Sequence, residues 1–186
     1  DDIWAVLAQT NLDFDNLAGI NTDISFCPAA RTPDNTATDG INRVSGTGYG
    51  DYENIGISQF DNELLIKSLS MWPNYDYINV WIVHEIDGDP LNEMALGFAS
   101  FPGASPQRDG IVVQADVFTN PDFSKVLTHE LGHFLGLYHT FQNDQGSGCP
   151  TNNSCDTDPT NDLTEICCRV QGDRCCDTEP HEQYFG

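Results

Sequence analysis

The eleven residues "HELGHFLGLYH", 129 to 139, carry three of the five histidines in this chain. His129 and His133 stand four apart in an otherwise apolar, helix-like run. On a helix, positions i and i+4 share a face and lie roughly 6 Å apart along the axis, so two imidazoles can aim at one point. Glu130 falls about 100° around from His129, close enough to touch a metal-held water without being forced to ligate. Gly136 occupies the place where a helix must end with positive φ, and a sharp turn there would swing His139 back as a third ligand. Three neutral imidazoles with an open fourth position describe a catalytic zinc site rather than a closed structural one.

The bland alternative is a helix with two buried, hydrogen-bonded histidines and a capping glycine. The full pattern H-E-x-x-H-x-x-G-x-x-H fixes five positions, and its chance occurrence in a chain of this length is on the order of one in a hundred thousand. That frequency sets the alternative aside. The other histidines carry no such pattern: His84 reads as a strand residue and His181 as a tail residue.

Several elements must position this motif. "NPDFSKVLTHELGHFLG" predicts the motif helix, with Pro121 and Asp122 near its start and Phe123, Val126, Leu127, Leu131, Phe134 and Leu135 as its apolar face. "IWAVLAQTNLDF" spaces Ile3, Val6, Leu7 and Leu12 at helical intervals and predicts an opening helix. "DISFCPAA" reads as a strand, with a lone Cys27 packed in the core, and "INRV" as another. "SGTGYGD" has the glycines of a loop without the context of a dinucleotide fingerprint. "FDNELLIKSLSMW" predicts a helix stopping before Pro73. "YINVWIVHEI", "ALGFASFP" and "GIVVQADVF" predict three further strands. Beyond His139 the chain turns to loops and cysteines, which places a lobe boundary near residue 136.

At 186 residues the chain suffices for one cored domain, divided here into two lobes by a cleft. Its apolar runs are far too short to cross a bilayer. No basic-then-apolar leader opens it, as expected of a mature secreted protein that has lost one. With 29 Asp and Glu against 7 Lys and Arg, the net charge of −22 repels phosphate backbones and excludes nucleic acid as a partner. Six of the seven cysteines, Cys149, Cys155, Cys167, Cys168, Cys175 and Cys176, fall within 28 residues. That crowding reads as a disulfide-stapled loop region formed in an oxidising compartment, a cysteine zinc cluster being the alternative. Asp156, Asp158, Asp162, Asp173, Asp177 and Glu179 group beside them, as solvated turns or as oxygen ligands for calcium.

The motif resembles the metzincin clan of zinc peptidases. "GLYHTF", "INVWIV", "GFASFP", "DGIVV", "GDRCCDTEP" and the early "ISFCPAA…DGINRV" extend the likeness to the pappalysin-like family over nearly the whole chain. The resemblance implies an α/β fold: a twisted, mixed, mostly parallel sheet with an opening helix and an active-site helix. These form an upper subdomain over 1–136. A partial, loop-rich, disulfide-containing lower subdomain would follow over 137–186. It implies zinc on His129, His133 and His139, with Glu130 as general base, and calcium on Asp156, Asp158, Asp173 and Asp177. Leu96, Gly97, Phe98 and Ala99 would form the edge strand that pairs with extended substrate backbone. The implied function is a secreted, extracellular endopeptidase acting on proteins or peptides. The alternative is an inactive, metal-bound binding module or fragment derived from one. Metzincins have a methionine-containing turn downstream of the third histidine, whereas Met71 and Met94 both lie upstream and only 47 residues follow His139. The expectation is therefore a fragment, a nicked half or a shortened relative, with a downstream segment of the same precursor as a partner.

Overall fold

The computed structural model describes residues 2–15, 21–88, 95–120, 123 and 125–140. The backbone divides between Leu135 and Gly136 into two units. In the first, helix α1 (Asp2–Asp15) opens the chain, followed by short helices α2 (Tyr52–Ile55) and α3 (Glu63–Ser68). Strands β1 (Val80–Val83), β2 (Gly97–Ala99) and β3 (Ile111–Gln114) come next, then a 3₁₀ turn (Ala115–Phe118) and helix α4 (Val126–Phe134). The second unit contributes residues 136–140 to the description.

The described sheet has the order β1-β3-β2. β1 runs parallel to β3 and β2 antiparallel to it, giving the expected mixed sheet. β3 is buried throughout, as a central strand covered on both faces should be. Its period-2 alternation serves two cores. Ile111 and Val113 join Val6, Phe14, Val117, Phe118, Leu127 and Leu131, which come from α1, the 3₁₀ turn and α4. Val112 turns the other way, toward Ile57, Ile66, Trp81, Val83 and Ile86.

Several sequence expectations are corrected. "DISFCPAA" forms no strand. The Phe26 carbonyl accepts from Asn11 Nδ2 at 2.8 Å and its N–H donates to Asn11 Oδ1 at 2.7 Å, so a side chain of α1 takes the place of a neighbouring strand. Cys27 is consequently exposed rather than packed in a core. "INRV" also stays irregular. The third helix ends at Ser68, earlier than expected, because Asn79 brackets Trp72 through both its side-chain amide groups at 2.9 Å. "GIVVQADVF" leaves the strand after Gln114. A 3₁₀ turn follows over Ala115–Phe118 and buries Val117 and Phe118 against the core shared with α1 and α4. On α1 the buried positions are Val6, Thr10 and Phe14, while Leu12 faces solvent. α4 starts at Val126, and Leu135 is exposed rather than part of its apolar face. Pro121 and Asp122, Met94, His181 and the six clustered cysteines lie outside the described residues.

α4 is tied to α1 by polar contacts as well as by Leu127 and Leu131. Thr128 Oγ1 donates to Asp13 Oδ2 at 2.8 Å, and Lys125 Nζ reaches Asp13 Oδ1 at 3.2 Å. Burial pushes the Asp13 carboxyl up, but hydrogen bonds from Gln9, Thr128 and Lys125, with the Lys125 charge, outweigh it and hold the group below its usual 3.8. A carboxyl lowered on folding stabilises the fold above its ordinary value, and that contribution fades as pH falls through the lowered one. Asp13→Ala is therefore expected to cost roughly 1–3 kcal/mol at neutral pH, with a smaller difference from wild type in strong acid, read by urea unfolding across pH.

β2 rides close on α4 at Gly97. A Cβ there would meet the Val112 carbonyl oxygen at 2.9 Å and Glu130 Cγ at 3.0 Å. Neither strand backbone nor a buried glutamate stem yields cheaply. Gly97→Ala is expected to destabilise by roughly 1–3 kcal/mol through overpacking, measured as a fall in the urea midpoint at unchanged slope.

Candidate metal centre

The centre is assembled almost entirely from one helix and the turn after it. α4 buries Leu127, Glu130, Leu131 and Gly132. Burying that stripe forces His129, one position before Glu130, outward, and leaves His133 half-buried on the same side as His129. Their rings meet edge to face with centroids 4.5 Å apart, and the two Nε2 atoms are 3.0 Å apart. The Leu135 N–H closes the last turn on the Leu131 carbonyl at 2.9 Å. Gly136 then takes φ of 102°, a conformation that favours glycine, and the helix stops there. One ligand nitrogen from each of His129, His133 and His139 lies within 4.8 Å of the others.

This donor set suits a tetrahedral metal. Zinc–nitrogen bonds of about 2.0–2.1 Å in a tetrahedron separate two ligand nitrogens by roughly 3.3 Å. The His129–His133 separation of 3.0 Å is near that value. Among the described residues the cluster consists of three imidazoles, the ligand chemistry of a site that keeps a position open.

Glu130 is 6 % exposed, packed beneath Gly97 of β2. Burial pushes its carboxyl up from 4.5 to about 7, because the charged form loses water. A dication nearby opposes that loss and favours the carboxylate. The arrangement thus puts a group able to exchange a proton near neutrality next to His129 and three residues before His133.

The edge strand is shorter than expected. Gly97, Phe98 and Ala99 form β2 at the edge of the described sheet, while Leu96 lies just outside it and accepts from the Gln114 N–H at 2.9 Å. Phe101 was missed by the sequence reading: its ring lies 5.3 Å from that of His133. The signal was present in "GFASFP", where two phenylalanines three apart flank the strand end. Asp156, Asp158, Asp162, Asp173, Asp177 and Glu179 lie outside the described residues. No helix among the described residues is long and apolar enough to cross a membrane.

Known proteins resemble this chain in fold and in sequence. An extracellular metalloprotease of Arthroderma benhamiae is 36% identical over 106 residues, covering 52% of this chain and 34% of that protein. One of Neurospora crassa is 28% identical over 168 residues, covering 75% of this chain and 55% of that protein. This chain therefore spans between about a third and just over half the length of these relatives. The structure of Tannerella forsythia mature mirolysin in complex with a cleaved peptide superposes with a TM-score of 0.62. It is 24% identical, covering 85% of this chain and 63% of that one, and it shares the metzincin-type fold. The family described as Pregnancy-associated plasma protein-A, Peptidase_M43, matches residues 62–184, well over half the chain including the histidine motif. The chain thus belongs to this pappalysin-like family of metzincin metallopeptidases.

Proposed function

We propose that this protein is a secreted, zinc-dependent endopeptidase, with His129, His133 and His139 as ligands and Glu130 as general base. The observation that carries the reading is the convergence of three imidazoles beside a buried glutamate. Zinc, when bound, polarises a carbonyl group and makes water acidic enough to lose a proton near neutral pH. Glu130 takes that proton as water attacks the scissile carbonyl, and delivers a proton to the departing amine. The carboxyl therefore returns to its starting state in each turnover, with no covalent intermediate. Extended substrate lies along Leu96, Gly97, Phe98 and Ala99, whose outer backbone groups offer strand pairing. Extracellular action is supported by the fungal relatives, which are extracellular metalloproteases. Peptide as the substrate class is supported by the cleaved peptide in the mirolysin complex. The organisation into subdomains 1–136 and 137–186 belongs to the same proposal.

Replacing a ligand and replacing the base should have different consequences. His133→Ala removes one of three ligands, and the purified variant is expected to lose stoichiometric zinc in metal analysis. Undiminished zinc in that variant would exclude the assignment.

Glu130→Ala is expected to keep its zinc while turnover of a mixed peptide library falls by at least about a hundredfold. Joint loss of metal and activity would make Glu130 structural or ligating. Zinc-loaded wild-type chain that cleaves nothing would favour a metal-bound binding module instead.

A further inference from the structure

A cavity of about 370 Å³ opens where β2 runs out, lined by Gln59, Glu63, Phe98, Ser100, Phe101 and Arg108 among others. It begins one side chain from the metal centre, since Phe101 also stacks against His133. Phe98, on the strand proposed to carry substrate backbone, and Phe101, two residues beyond it, supply apolar walls. The polar end is a charge cluster.

Glu63, 4 % exposed, has both carboxylate oxygens engaged. Oε1 takes Lys67 Nζ at 2.8 Å and Oε2 takes Arg108 Nη1. Lys67 is fully buried and also donates to the Arg108 carbonyl at 2.7 Å. One negative and two positive charges sum to +1 in this triad. The neighbouring Asp109 carboxylate acts on Lys67 and brings the cluster of four to neutral; its oxygens accept from Asn74 at 2.8 Å and Ser100 at 3.4 Å, and it does not line the cavity. The Ser100 hydroxyl is itself spent, accepting from the Gly110 N–H at 2.7 Å while its one hydrogen is shared between the Gly110 carbonyl at 3.0 Å and Asp109. That leaves the half-exposed Arg108 as the charged donor presented to a ligand. A guanidinium has five N–H donors, and Glu63 uses one Nη1 contact.

We infer that this cavity is a specificity subsite for an acidic side chain of the peptide substrate, with Arg108 as the residue that reads its carboxylate. The inference rests on the peptidase reading and names the substrate class of that site. Apolar walls take the methylenes of the side chain, and the planar fork of Arg108 suits a carboxylate better than an amide or an ammonium. The overall charge of −22 does not decide against it. Exposed charges beyond the Debye length, about 8 Å at physiological salt, are largely screened, whereas Arg108 is in contact.

The test compares peptides identical except for Glu, Gln or Lys at each position flanking the scissile bond, with the zinc-loaded chain. At one position kcat/KM should favour Glu over Gln by about tenfold or more, as expected of one charge-assisted hydrogen bond. Arg108→Gln should bring that ratio near one, and Arg108→Glu should favour Lys. Arg108→Lys keeps a cation for Glu63 but lacks the fork, and should give an intermediate ratio should the other variants fail to fold. Binding of the same labelled peptides to zinc-loaded Glu130→Ala, followed by fluorescence anisotropy, gives a readout independent of turnover. Equal affinities for the Glu and Gln peptides there, or a preference unchanged in Arg108→Lys, would overturn the subsite. Absence of cleavage with a retained Glu preference in binding would instead overturn the peptidase reading and leave the subsite standing.

Discussion

Leu127 and Leu131 hold α4 against Ile111 and Val113 of β3, and nearly everything at the candidate centre follows from that contact. Each leucine so buried is worth about 1.5–3 kcal/mol relative to exposure. Once this stripe faces the core, the helical repeat leaves no freedom for the remaining side chains. Glu130 must share the buried side, and His129 and His133 must stand one turn apart toward solvent. The buried carboxylate and the accessible imidazoles are thus two consequences of one packing interaction.

β3 bears the corresponding load within the sheet. Its alternating side chains fill both cores, and both its edges are paired, to β1 on one side and to β2 on the other. β2 can remain three residues long because it gains support from two directions, from β3 by hydrogen bonds and from α4 by close approach at Gly97. The absence of a side chain at Gly97 lets Glu130 pack directly beneath the strand. At the other end, Phe101 touches His133 and Arg108 closes on Glu63. A single short strand therefore joins the candidate proton-transfer group to the cavity beside it.

The two unlike environments of acidic side chains in this chain follow from their partners. Glu130 is buried, and burial pushes its carboxyl up to about 7. Asp13, reached by Gln9, Thr128 and Lys125, is held below its ordinary value. The first arrangement suits proton exchange, and the second fastens α4 to α1.

Local pattern carried some features into the structure unaided. The spacing of His129, Glu130, His133 and Gly136 specified a one-faced pair of imidazoles and a helix stop, because the helical repeat and the sterics of positive φ act within a few residues. The same holds for α1 and for the strands around "NVWIV", "GFA" and "IVVQ". Where the reading failed, a distant partner intervened. Asn11 captured Phe26 and prevented a strand, Asn79 bracketed Trp72 and shortened a helix, and the chain left its strand after Gln114 to pack Val117 and Phe118 against α1 and α4. The cavity was likewise illegible in advance: Glu63 and Arg108 are 45 positions apart, and Phe101 meets His133 across 32. The sequence by itself determined which residues could form a metal centre, since one helix sets His129 and His133 a turn apart and a glycine ends it before His139. Only the tertiary structure decided what stands beside that centre, because those contacts depend on how β2 and α3 pack, and chain spacing does not encode that.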